Sequence, residues 1–169
     1  QPDSTLNFVH PATALHNLLP ALNAISDVTL VLSHLGYSLA SSSAGVLLAG
    51  DVELAQTLRP GSAHAIIGGH THHALNEQGL SVHNIINGVP ILQAGKFGEF
   101  LGQAEIAVNR TCAAMTSARL IPTHSLPENA AFMSAEVTPL LRAITPVLAQ
   151  ELGTVADDPA LGTEAVCND

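Results

Sequence analysis

The chain has 169 residues, of which 47% are apolar and 11% are charged, so it can bury a core in one domain or most of one. Five Lys and Arg against 14 Asp and Glu give a formal charge of -9, which argues against nucleic acid or an anionic membrane surface as partner. No apolar run reaches the roughly 18 to 20 residues of a membrane span. Nine His beside so few Lys and Arg make a metal ion the first candidate for handling an anionic substrate.

The first part of the chain predicts a helix, a strand, a short helix and a second strand. Residues 12–25 carry apolar side chains at helical spacing, and we expect Pro20 to kink or divide this helix before Asp27 ends it. Residues 28–32 read VTLVL, which is typical of a strand covered on both faces. A surface loop is predicted over residues 38–50, followed by a short helix with Asp51 as its N-terminal cap. Residues 63–67 form the second predicted strand.

Histidines follow both predicted strands directly. His34 comes after the first strand, and the second runs into Gly68-Gly69-His70-Thr71-His72-His73. A parallel strand-helix-strand crossover places the carboxyl ends of both strands at one edge, so His34, His70 and His72 should converge. An extended backbone would point His70 and His72 to the same side. Neutral imidazoles suit Zn²⁺ or Mn²⁺, which predicts a metal site; surface histidines in a glycine-rich turn are the alternative.

The second part of the chain predicts three more strands and a helix. We expect strands over residues 88–95, 98–108 and 115–121, the last two antiparallel. Residues 137–152 have the pattern of an amphipathic helix, and residues 154–169 that of a linker. Cys112 and Cys167 leave open one disulfide or two free thiols. Because the chain begins with Gln1, we expect a removed leader or a longer parent protein.

Several motifs together resemble a known family. They are V-L-S-H-L-G at residues 31–36, D-x-x-L-A at 51–55, I-I-G-G-H-T-H at 66–72 and N-G-V-P-I-L-Q-A-G-K-F-G-E-F-L-G at 87–102. In order and spacing they resemble the catalytic domain of 5'-nucleotidases, which are calcineurin-like metallophosphoesterases, over residues 5–125. The resemblance implies an α/β (α+β) fold, part of a two-sheet β-sandwich flanked by helices.

The resemblance also implies an activity. His34 and His70 would bind one divalent ion and His72 a second, the pair being Mn, Zn, Co or Fe. A hydroxide activated by these two ions would hydrolyse nucleotides to nucleoside and phosphate. The implied location is periplasmic or extracellular, since enzymes of this family are typically found there.

The chain departs from the family in lacking its first three motifs, D-x-H, G-D-x-x-D and G-N-H-D/E. Gly50-Asp51 does not replace them, because it follows His34 and Leu54 stands where a second Asp is required. Residues 1–135 thus resemble the C-terminal half of the catalytic domain, and residues 136–169 a helix and linker toward a missing C-terminal domain. The expected partner is the missing N-terminal half, in the same parent chain or a separate one. Without a bridging carboxylate, we expect the isolated chain to be inactive and to bind at most one metal ion weakly.

Other functions stay open on the same residues. A 2',3'-cyclic-nucleotide phosphodiesterase, a nucleotide-sugar hydrolase and a thiohydrolase share the quoted motifs. From a different class, the chain would be a non-catalytic metal-binding or interaction module. A purely structural domain leaves the histidines after both strands unexplained.

Overall fold

A computed structural model describes residues 9–38, 50–110 and 112–151 of the chain. The chain divides into two compact units, Gln1–Leu126 and Pro127–Asp169. The described residues of the first unit form two small sheets and two α-helices, so the fold is mixed α/β as predicted. Of the predicted loop over residues 38–50, residues 39–49 lie outside the described part of the chain.

Helix α1 spans Pro11–Asn23. It begins where the Nδ1 atom of His10 accepts a hydrogen bond from the Ala12 N–H at 3.3 Å, with Pro11 in the first turn. Pro20 lies inside the helix and is exposed, so its ring is accommodated on the solvent side. Of the two expected effects of Pro20, a kink or a division of the helix, the division does not occur, and the helix ends before Asp27.

The main sheet has four strands: β1 (Leu30–Leu32), β2 (Ala65–Ile67), β3 (Ile85–Ile86) and β4 (Val89–Leu92). Their order is β1-β2-β4-β3, and β1, β2 and β4 run parallel. Helix α2 (Asp51–Thr57) lies between β1 and β2 in the chain, which confirms the predicted parallel pair. Strand β3 is antiparallel to β4 and was not predicted.

One face of this sheet forms the core, in which Leu54, Ile66, Val89 and Ile91 are almost fully buried. The opposite face is open, since Leu30 is 45% and Leu32 77% exposed. The prediction that VTLVL is covered on both faces was therefore wrong. Strands β5 and β6 leave a cavity of about 340 Å³ on this side, which Leu30 helps to line.

Strands β5 (Phe100–Val108) and β6 (Ala113–Pro122) form an antiparallel hairpin, as predicted. In the second unit, α3 (Ala130–Phe132), a π-helical turn (Met133–Val137) and α4 (Thr138–Leu148) follow one another without a break. This helical segment starts earlier and ends earlier than the predicted helix over residues 137–152. Among the described residues, no helix has both the length and the apolar character needed to cross a membrane.

Candidate functional site

The carboxyl ends of β1 and β2 bring two of the three predicted histidines together. The Ser33 N–H donates to the Ile67 carbonyl at 3.0 Å, so the two strands stay paired to their last residues. His34 follows β1, and His70 follows the Gly68-Gly69 pair after β2. The ring centres of His34 and His70 are 5.8 Å apart, with the ring planes at 61°.

His72 lies in the same turn but not in the same cluster. Its ring faces Phe97, with the ring centres 5.6 Å apart. Within residues 9–38, 50–110 and 112–151, no three His, Cys, Asp or Glu side chains are grouped so as to hold a metal ion. The structure thus places His34 and His70 as a pair and His72 apart from them.

The backbone of the histidine turn is not extended. His70 has a φ of 74° and His72 a φ of 58°, and the Thr71 N–H donates to the Gly69 carbonyl at 2.9 Å. The predicted alternation of side chains in an extended H-x-H segment was therefore wrong. The left-handed turn directs the two rings to different neighbours, which accounts for the separate position of His72.

Strained backbone is concentrated around this edge of the sheet. The non-glycine residues with positive φ in the described part of the chain are His34, His70, His72, Asn76, Asn87 and Phe97. Asn and His enter the left-handed region more readily than other residues with a side chain, whereas the bulky Phe97 is an outlier there. Phe97 contacts His72 and His34 contacts His70, so these four residues form two pairs of rings near this edge. Such strain typically marks functional sites.

Gln93 ties the histidine turn to the end of β4. It is 3% exposed, its Nε2 donates to the Gly69 carbonyl at 3.0 Å, and its Oε1 accepts from the His73 N–H. The Thr71 hydroxyl in turn accepts from the Tyr37 N–H at 2.9 Å, which connects the turn to the segment after β1. Sequence reasoning did not identify this role of Gln93, although a polar residue directly after a buried strand is a usable signal.

Asp51 is buried behind the site, at the start of α2. Its exposure is 0%, and neither carboxylate oxygen has a hydrogen-bond partner among the described residues. Burial raises the pKa of Asp51; the nearby Ser33 hydroxyl and the His34 imidazole act in the opposite direction, and Glu53 adds to the rise.

The predicted capping role of Asp51 was wrong, because Gly50 is the N-cap residue of α2. The Glu53 carboxylate accepts the hydrogen bond from the Gly50 N–H at 2.9 Å. Asp51 is the first residue of the helix, and its side chain points into the protein rather than to the helix end.

Two histidines outside the site, His16 and His64, have structural partners. The Nε2 atom of His16 lies 2.9 Å from the Thr57 carbonyl oxygen, and the Nδ1 atom of His64 accepts from the Thr29 N–H at 3.0 Å. Cys112 is exposed, while Cys167 lies outside the described residues, so their predicted alternatives are not decided.

No model of a known protein family matches the chain, and a search among curated proteins gives no match. The resemblance to 5'-nucleotidases therefore depends on the motifs themselves.

Proposed function

We propose that this chain is the C-terminal half of the catalytic domain of a metal-dependent phosphoester hydrolase that resembles 5'-nucleotidases and acts on nucleotides. The observation that carries the proposal is the His34 and His70 pair at the shared carboxyl edge of parallel β1 and β2, with ring centres 5.8 Å apart. Ligand sites of open α/β sheets lie at this edge. The two-sheet sandwich and the periplasmic or extracellular location belong to the same proposal.

The geometry fits two ligands of one ion rather than a complete metal centre. With Zn–N bonds of about 2.0–2.1 Å, two imidazoles on one tetrahedral Zn²⁺ have ring centres roughly 5 to 6 Å apart. His34 and His70 meet this condition, while His72 does not join them. A bound divalent ion would supply the positive charge for phosphate that a chain with a net charge of -9 lacks.

The remaining ligands would come from the missing N-terminal half of the domain. The proposal therefore assigns hydrolysis to the assembled protein, with two divalent ions of the Mn, Zn, Co or Fe group. The 169-residue chain by itself would be inactive. His72 would serve the second ion in the assembled site.

The first test is a calorimetric titration of the chain with Zn²⁺ and with Mn²⁺. We expect one weakly bound ion per chain, lost in His34→Ala and in His70→Ala but retained in His72→Ala. His83→Ala is the matched control, because His83 is exposed and outside the site. Absence of metal uptake, or uptake unchanged in both His34→Ala and His70→Ala, contradicts the proposal. Phosphate release by the complete parent protein from a nucleoside monophosphate, a cyclic nucleotide and a nucleotide sugar then separates the related activities.

A non-catalytic metal-binding or interaction module is the second candidate. It is favoured by the absence of a three-ligand group from the part of the chain that the structure describes. The activity of the parent protein distinguishes the two candidates. It hydrolyses a phosphoester if the first is correct and no phosphoester if the second is correct.

A further inference from the structure

Asp51 has a position that its own helix does not explain. A Cβ atom placed on Gly68 would lie 3.0 Å from Asp51 Cγ and closer still to Oδ2, so the carboxylate packs directly on the Gly68 backbone. A Cβ atom on the next residue, Gly69, would lie 2.5 Å from the Nδ1 atom of His34. Two adjacent glycines thus separate a buried carboxylate from the imidazole of His34.

Asp51 is also linked to the segment that follows β1. Its backbone N–H donates to the Gly36 carbonyl at 2.8 Å, and the Ser33 hydroxyl and the His34 imidazole act electrostatically on its carboxylate. The Ser33 hydroxyl donates a long hydrogen bond of 3.4 Å to the Ile67 carbonyl. Asp51 therefore lies behind both turns that carry the paired histidines.

Burial of a charged group without a partner is unfavourable for the fold. An Asn of nearly the same size would fill the space at the lower cost of a buried neutral amide, so packing alone does not account for a carboxylate at this position. A carboxylate that accepts a hydrogen bond from a histidine fixes the orientation of the imidazole directly. Asp51 has no such bond among the described residues, so it can act on His34 only through the turns that it packs against.

We propose that Asp51 is a positioning residue, which holds the Ser33-His34 turn and the Gly68-Gly69 turn against each other so that His34 faces His70. It acts through these turns and touches neither substrate nor metal. Only the metal-binding part of the test rests on the proposed function. The position of the two rings can be measured in the metal-free protein.

The test compares Asp51→Asn with the wild-type chain. Glu53→Gln is the matched control, since it removes a carboxylate from the same helix two positions along the chain. The first readout is the through-space NMR contact between the ring protons of His34 and His70 without metal. The second is the affinity for Zn²⁺, and the third is the thermal unfolding temperature.

We expect Asp51→Asn to remain folded, with an unfolding temperature at or above that of the wild type. It should lose the contact between the two rings and bind Zn²⁺ about 10- to 100-fold more weakly. Glu53→Gln should keep the ring contact and the Zn²⁺ affinity.

An Asp51→Asn chain that keeps the ring contact overturns the proposal. An Asp51→Asn chain that fails to fold overturns it as well, since Asp51 would then serve the fold. If the wild type binds no Zn²⁺, the proposed function fails, and the ring contact alone decides the role of Asp51.

Discussion

The close packing of Gly68 against Asp51 makes a steric prediction. Gly68→Ala introduces a Cβ atom that overlaps the Asp51 carboxylate, whose surroundings leave it no exposed direction in which to move. Overpacking of this kind costs about 1–3 kcal/mol. The smaller entropy of the unfolded chain with Ala in place of Gly returns about 0.4–1 kcal/mol. We expect a net loss on the order of 1–2 kcal/mol, measured by urea unfolding with circular dichroism.

Replacing Gly by Ala should change the free energy of unfolding little where no atom lies close to the new Cβ atom, or where the Asp51 carboxylate has been removed. Gly102→Ala is the control, because its Cβ atom would have its nearest neighbours at 3.7 and 3.9 Å. In an Asp51→Ala background, Gly68→Ala should cost less than about 0.5 kcal/mol, giving a coupling of at least about 0.5 kcal/mol between the two sites. Additive effects of Gly68→Ala and Asp51→Ala would refute the packing argument.

Three further predictions use the same unfolding assay. Leu54→Ala, at a side chain that is 1% exposed, should cost about 2–5 kcal/mol, and a loss below about 1 kcal/mol would show that Leu54 is not in the core. Phe97→Asn should raise the free energy of unfolding by about 0.5–1 kcal/mol, because Asn accepts the φ of 50° and the position is 88% exposed. A lower free energy of unfolding would mean that the contact of Phe97 with His72 outweighs the backbone strain. The pKa of Asp51 is higher in the folded protein than in the unfolded chain, so the unfolded chain loses its proton first as the pH rises. The wild type should therefore lose stability relative to Asp51→Asn as the pH rises from about 4 through the folded-state pKa. Parallel pH profiles of the two proteins would contradict the raised pKa.

The parallel core of the sheet was predictable from the sequence. Two short aliphatic runs separated by a helical segment have few other ways to bury their side chains, and Val31 pairs with Ile66 as that arrangement requires. The position of His34 and His70 follows from the same argument, because both come directly after these runs. Strand β3 carried an unused signal, since Asn87-Gly88 is the dipeptide that favours a two-residue hairpin turn, and both residues have positive φ.

The details of the site were not predictable in the same way. An Asp at the start of a helix looks alike in sequence whether it caps the helix or enters the core, and only the tertiary contact with Gly68 distinguishes the two. The left-handed residues His70 and His72 lie between Gly69 and His73, and the backbone groups of those two flanking residues are held by Gln93, which is distant in the sequence. Local propensity favours the extended conformation that these residues do not adopt.

The strained backbone at His34 gives a prediction whose sign opposes the usual rule. Gly normally destabilises a folded position relative to Ala by roughly 0.5–1 kcal/mol. At His34, with a φ of 84°, the left-handed conformation costs any residue with a Cβ atom about 1–2 kcal/mol, which Gly avoids.

His34→Gly should therefore be more stable than His34→Ala by about 0.5–1 kcal/mol in urea unfolding, while both lose the imidazole. The same pair of substitutions at His83, an exposed residue that does not have positive φ, should show the ordinary order, with Ala more stable than Gly. If His34→Ala is more stable than His34→Gly, the backbone at position 34 is not strained. Backbone strain around the paired histidines would then no longer support a functional site there.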